Sequence, residues 1–191
     1  QPLPVDGDIS QYVLMNYKQP FEYVKEGGDK GFHKKGEWAK AAYWIVQNSN
    51  LTAGEGGAAV DLAFKTKYGD GSDAGLALQT DWGFDNPKND GKVYQTSHLQ
   101  KGKYKLTAHV YEYDRRGFTG YVAVCKGNEM ANTSDIPSKS LANASISGTG
   151  DVVVDISVEE PTDVVIGFVC TITVKQGRAK IDNFKLELVE Q

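Results

Sequence analysis

The sequence predicts an all-β protein, an antiparallel two-sheet β-sandwich, on three observations. Apolar and polar residues alternate through most of the chain, the alternating runs recur at spacings of about 10 to 20 residues, and Gly, Asn, Asp or Pro fall between them. No helical stripe of comparable length competes. The runs lie at 12–16, 42–47, 58–65, 75–80, 93–97, 104–113, 120–125, 142–147, 152–158, 163–174 and 179–189.

Taken in order, the early runs are short and separated by irregular Gly, Asp and Asn-rich stretches at 48–57, 68–73 and 81–91, where function concentrates on β-scaffolds. Within 42–47, either Tyr43 or Trp44 must face a core, because successive strand side chains take opposite faces. Run 104–113 shows this best. Leu106, Ala108 and Val110 point one way, while Lys105, Thr107, His109, Tyr111 and Tyr113 point the other. Gly102 suits a turn needing positive φ before Tyr104 starts that strand. Val164, Ile166, Phe168, Cys170 and Ile172 make a second core row, and Ile181, Phe184, Leu186 and Leu188 a third. The third row changes parity between Ile181 and Phe184, the trace of a β-bulge or of a strand that begins one residue later.

At 191 residues, 40% hydrophobic and 24% charged, the chain suffices for one well-buried domain. That domain is expected over 8–191, with residues 1–7, opening Gln1-Pro2-Leu3-Pro4, as an extended tether of the kind left when a targeting segment is removed. Lys and Arg number 21 against 25 Asp and Glu, a net charge of −4. The basic excess that nucleic acid demands is absent, and so is any apolar run of the roughly 20 residues a membrane span needs. Cys125 and Cys170 sit in apolar alternation with no metal or CxxC spacing; buried free thiols are the plainer reading and a disulfide the alternative.

Several segments carry a resemblance. Asp8-Ile9-Ser10-Gln11-Tyr12 leading to Asn16 and Phe21-Glu22, then Gly36-Glu37-Trp38, resembles the opening of carbohydrate-binding-module jelly rolls of the galactose-binding-like superfold. Gly91 to Thr96 followed by Leu99, Gly102 and Tyr104 is similar to that superfold's strand, Leu-x-x-Gly-x-Tyr turn and strand. Ile166-Gly167-Phe168 and Ile181-Asp182-Asn183-Phe184 are similar to its last two strands. The likeness is closest to uncharacterised jelly-roll domains of bacterial surface lipoproteins that handle glycans. It implies a non-catalytic carbohydrate-binding module at the outer cell surface, with an oligosaccharide or polysaccharide as partner. It also implies no cofactor beyond a structural calcium between the first and last strands, where Glu22 and Asp182 hold the matching places.

Sugar recognition needs a flat aromatic face for the C–H face of a pyranose, with amides, carboxylates or guanidiniums for its hydroxyls. Tyr111, Tyr113, Asp114, Arg115 and Arg116 form the densest such group, with His109 beside them. The bland alternative is that the two tyrosines pair across strands and the arginines mark a solvated turn. Trp82, in a polar loop, is a further stacking candidate, or it folds back on the core rim. Trp38 and Trp44 are weaker candidates.

Glycoside hydrolysis would require two carboxylates about 5 to 10 Å apart, one with a raised pKa. Glu112 has the parity of the core row and Asp114 begins a turn, so both read as structural or binding groups. His33, His98 and His109 are dispersed and lack a nucleophile motif. Asp70, Asp73, Asp85 and Asp90 fall outside the EF-hand register, and in the bacterial source that the resemblance implies, the glycosylation acceptor patterns at Asn50, Asn132 and Asn143 would be chance matches. Two other functions stay open: a structural or adhesive module meeting a partner protein, and a glycosidase or lyase.

Overall fold

The computed structural model describes residues 7–23, 38–47, 62–64, 72–80, 88–175 and 177–191. Its strands, in chain order, are β1 (Gly7–Asp8), β2 (Trp38–Ala39), β3 (Ile45–Gln47), β4 (Leu62–Phe64), β5 (Ala74–Gln79), β6 (Lys88–Leu99), β7 (Gly102–Asp114), β8 (Phe118–Lys126), β9 (Ala142–Ser145), β10 (Gly150–Val158), β11 (Thr162–Ile172) and β12 (Arg178–Glu190). All pairings between them are antiparallel. One sheet runs β10-β7-β12-β5-β4-β2 with β1 added on β12; the other runs β3-β6-β11-β8-β9. This is the all-β jelly-roll sandwich that the alternation and the resemblance imply.

The core lies between the sheets and is built from the alternating rows. Tyr104, Leu106, Ala108 and Val110 of β7 meet Val164, Ile166, Phe168, Cys170 and Ile172 of β11 and Ile181, Phe184, Leu186 and Leu188 of β12, all buried. Each such large apolar side chain contributes roughly 1.5–3 kcal/mol by leaving water. Trp44 joins this core, its ring 5.3 Å from that of Phe184, so Tyr43 is the member of its pair that turns outward, at φ 70. Gly102 opens β7 at φ 157, and a Cβ there would stand 2.8 Å from the Glu190 carbonyl oxygen.

Run 12–16 is not a strand. A one-turn helix, α1 (Ser10–Val13), starts where Asp8 Oδ1 accepts the Ser10 N–H at 2.9 Å and its hydroxyl at 2.6 Å. Beyond it, the Met15 N–H and carbonyl are both taken by the buried Gln95 side chain at 2.9 Å, which leaves neither for a strand partner. Alternation over so few residues does not separate these outcomes.

Cys125 and Cys170 are free and buried. Cys125 belongs to a second apolar cluster with Tyr94, Ala123, Met130, Ile136, Val165 and Val169, on the outer face of the five-stranded sheet. A short 3-10 turn, Thr133–Asp135, and α2 (Ile136–Lys139) lie over that face. Lys92 Nζ holds the cover by donating to the Met130 carbonyl and Asn132 Oδ1, each at 2.7 Å, and Asp90 Oδ1 accepts the Thr133 N–H at 2.7 Å. Apolar cover on both sides explains the unbroken apolar run in β11.

Candidate functional site

With the outer face of the five-stranded sheet occupied by its own chain, the outer face of the other sheet is where β7 and β12 display polar groups. The register between these two strands slips twice over Lys180–Asn183, and once more between Leu188 and Glu190. Lys180 faces Glu112, Ile181 faces Val110, and Asn183 faces His109. Tyr111 is thus the extra residue on β7 and Asp182 the extra residue on β12, two bulges that cancel and return the strands to step.

Each bulge puts two successive residues on the outer face. On β12 these are Asp182 and Asn183, before Phe184 resumes the core row, so the parity break read from the sequence is a bulge. On β7 they are Tyr111 and Glu112, and every later residue changes sides. Tyr113, expected outside with His109 and Tyr111, instead faces the buried Ala179 and joins the core edge, its ring edge-on to Phe118 at 5.3 Å. Glu112, expected inside, faces out. Tyr111 does point outward, but its ring lies across β5 where Gly75 leaves room: a Cβ on Gly75 would stand 2.5 Å from Tyr111 Oη and 2.7 Å from Cζ. Burial, then the negative charges of Glu112, Asp182 and Asp73, push the Tyr111 hydroxyl pKa up.

Around the bulges the charges pair. His109 Nδ1–H donates to Asp182 Oδ1 at 2.7 Å, with the imidazole side chain 44% exposed and the carboxylate 16%. Glu112 Oε2 accepts from Arg178 Nε at 2.7 Å and Lys180 Nζ at 2.8 Å. Burial works to raise the Glu112 carboxyl, but Lys180 and Arg178 together outweigh it and hold it below the ordinary range. Asp114 accepts Arg116 Nε at 3.0 Å, Arg116 Nη2 at 2.8 Å and the Arg116 backbone N–H at 3.0 Å, with Arg178 Nη1 at 3.5 Å. The side-chain bonds from Arg116, then its backbone N–H, bring the Asp114 carboxyl down to about 2. Arg115 is exposed in the turn that Phe118 N–H closes on the Arg115 carbonyl at 3.2 Å.

The structure therefore brings His109, Tyr111, Asp114 and Arg116 onto one face, sends Tyr113 to the core edge, and adds Glu112, Arg178, Lys180 and Asp182. Trp82 lies outside the described residues. Glu112 was hidden in the sequence because residues 111–114 carry no apolar row to reveal the slip; Arg178 and Lys180 follow from its new side. For the expected calcium, Glu22 is exposed, with its backbone N–H on Asn16 Oδ1, while Asp182 is engaged by His109. Among the described residues no three His, Cys, Asp or Glu side chains gather in one place.

A family model described as "Domain of unknown function (DUF5013)" matches residues 15–167. No curated protein matches the sequence. Among solved structures the chain is similar to the CBM22-1 xylan-binding domain of Xyn10C from Paenibacillus barcinonensis, at 12% identity over 82% of this chain and 92% of that one, with a TM-score of 0.45. It is similar to TmCBM61, solved in complex with beta-1,4-galactotriose, at 13% identity over 86% and 96%, with a TM-score of 0.44. It is similar to the adhesin domain of Epf from Streptococcus pyogenes, at 13% identity over 97% of this chain and 64% of that one, with a TM-score of 0.50. What is shared with the Epf domain at that identity is the fold.

Proposed function

The chain belongs to the DUF5013 family, and we propose that it is a non-catalytic carbohydrate-binding module displayed outside the bacterial cell, secreted or anchored as a lipoprotein. One observation carries the reading: the paired bulges at Tyr111 and Asp182 gather hydrogen-bonded carboxylates and cations on one partly exposed sheet face. A sugar's vicinal hydroxyls each donate and accept, and a carboxylate beside a guanidinium or imidazole offers both complements. The resemblance of the N-terminal and C-terminal segments to sugar-binding jelly rolls supports the same ligand class.

The reading against a glycosidase or lyase draws on the same groups. A general acid for glycoside cleavage needs a carboxyl raised toward neutrality. Glu112 and Asp114 are both held low by their cations.

Calorimetric titration against a glycan panel tests the proposal. His109→Ala, Asp114→Ala and Arg116→Ala are each expected to weaken binding about tenfold or more, the worth of one hydrogen bond to a charged group. Unchanged affinity in all three would remove the site. A structural or adhesive module is the second reading, favoured by Tyr12, Met15 and Tyr43, which stand exposed on the N-terminal side, Tyr43 at 57%. Self-association in size-exclusion chromatography with light scattering would favour it.

A further inference from the structure

The charge pairs around the bulges bear on which sugars this face can take. Arg178 and Lys180 are committed to Glu112, Arg116 to Asp114, and His109 to Asp182. One partner of each pair sits low in the face, the Lys180 side chain 15% exposed, Asp182 16% and Asp114 19%, while the other stands further out, Glu112 at 39%, His109 at 44% and Arg116 at 61%. Further along the same face, Lys105 and Lys185 both turn to Glu187, at 3.9 and 3.5 Å. Arg115 is exposed in the turn, as is Lys18 where its backbone bridges Asn183, on a chain whose net charge is −4.

From this pairing we infer that the ligand of this face is a neutral glycan, not one bearing uronate, sulfate or amino groups; the inference rests on the carbohydrate-binding reading above. An anionic sugar would have to bind pairs whose charges already cancel, or draw a cation off Asp114 or Asp182 and leave a poorly solvated carboxylate, 19% and 16% exposed, without its partner. An ammonium sugar faces the mirror problem with the cations. A hydroxyl asks for neither change. It donates to a free carboxylate lone pair, or accepts from a spare guanidinium N–H, while each ion pair stays whole. Binding by neutral hydroxyls also releases no counterions, so its affinity responds weakly to salt.

The test titrates the full chain with neutral polysaccharides (a β-glucan, a galactomannan, an arabinoxylan), anionic ones (polygalacturonate, alginate, chondroitin sulfate) and chitosan, at low and high NaCl. Binding is expected among the neutral members alone, with affinity changing less than about twofold over the salt range. Glu112→Gln keeps the side-chain shape and removes the carboxylate that Lys180 and Arg178 share, so it is expected to acquire polygalacturonate binding that high salt abolishes. Asp114→Asn, freeing Arg116, does the same by a second route should Glu112→Gln fail to fold. Wild-type binding confined to charged polysaccharides overturns this inference and leaves the carbohydrate-binding reading standing. Binding to none of the panel overturns both. Folded Glu112→Gln and Asp114→Asn proteins that both ignore polygalacturonate would show that paired charges are not what sets the preference, and overturn the inference alone.

Discussion

Gly75→Ala puts the seating of Tyr111 to a quantitative test. The added Cβ would lie within the tyrosine ring, 2.5 Å from Oη and 2.7 Å from Cζ, where real contacts do not go below about 3 Å. The three atoms nearest that Cβ all belong to Tyr111. Gly75 pairs with Ala63 in ordinary strand geometry, and replacing a strand glycine stiffens the unfolded chain for a gain of about 0.4–1 kcal/mol. Against that stands the displacement of a large, rigid ring in a filled space, which costs about 1–3 kcal/mol. In wild type the two terms sum to a net change between about zero and a loss of about 2.6 kcal/mol. In a Tyr111→Ala background only the gain survives.

Urea denaturation of the four proteins, closed as a double-mutant cycle, isolates the ring–glycine term at about 1–3 kcal/mol. Displacing the ring also brings its hydroxyl back toward ordinary titration, which absorbance at alkaline pH reads independently. Gly75→Ala costing the same in both backgrounds, within about 0.5 kcal/mol, would refute the placement of Tyr111 and with it the bulge on β7.

Gly167→Ala should be worse and beyond rescue, because its Cβ would meet backbone, the Val93 carbonyl oxygen and Tyr94 Cα at 2.6 Å; a loss of about 3 kcal/mol or more by denaturation is expected, and a mild effect would contradict the close approach of β11 to β6. Acid should weaken the fold between about pH 4.5 and 2: Asp114 and Glu112 are held below their ordinary values of 3.8 and 4.5, so the unfolded chain binds more protons there and stability falls as pH falls. Asp114→Asn should flatten the melting temperature across that range, and an unaltered slope would deny Asp114 its part. Both thiols are buried and their pKa values pushed up by that burial, so Ellman's reagent should label neither Cys125 nor Cys170 until denaturant is added, and prompt labelling of the native protein would show one of them misplaced.

Legibility of the site varied residue by residue. Alternation turns His109 outward, as found, because it lies N-terminal to the bulge, where the row Leu106, Ala108, Val110 still keeps time. Two residues past the slip, alternation turns Tyr113 outward too, but it sits at the core edge. The matching slip on β12 was visible because Phe184, Leu186 and Leu188 form an apolar row whose parity can be checked against Ile181. Residues 111–114 offer no such row, and run 12–16 was too short for its alternation to separate a strand from one helical turn.

The side to which a strand residue points is a local property of an extended backbone, so the core rows of β7, β11 and β12, and with them the two-sheet architecture, could be settled from the order of residues alone. How far one strand slides against its neighbour is a property of the pair. The offset bulges at Tyr111 and Asp182, and the meeting of Glu112 with Arg178 and Lys180 across 66 and 68 positions of chain, exist only once β7 and β12 lie side by side. Tertiary structure decided which charges share the outer face and which of them cancel.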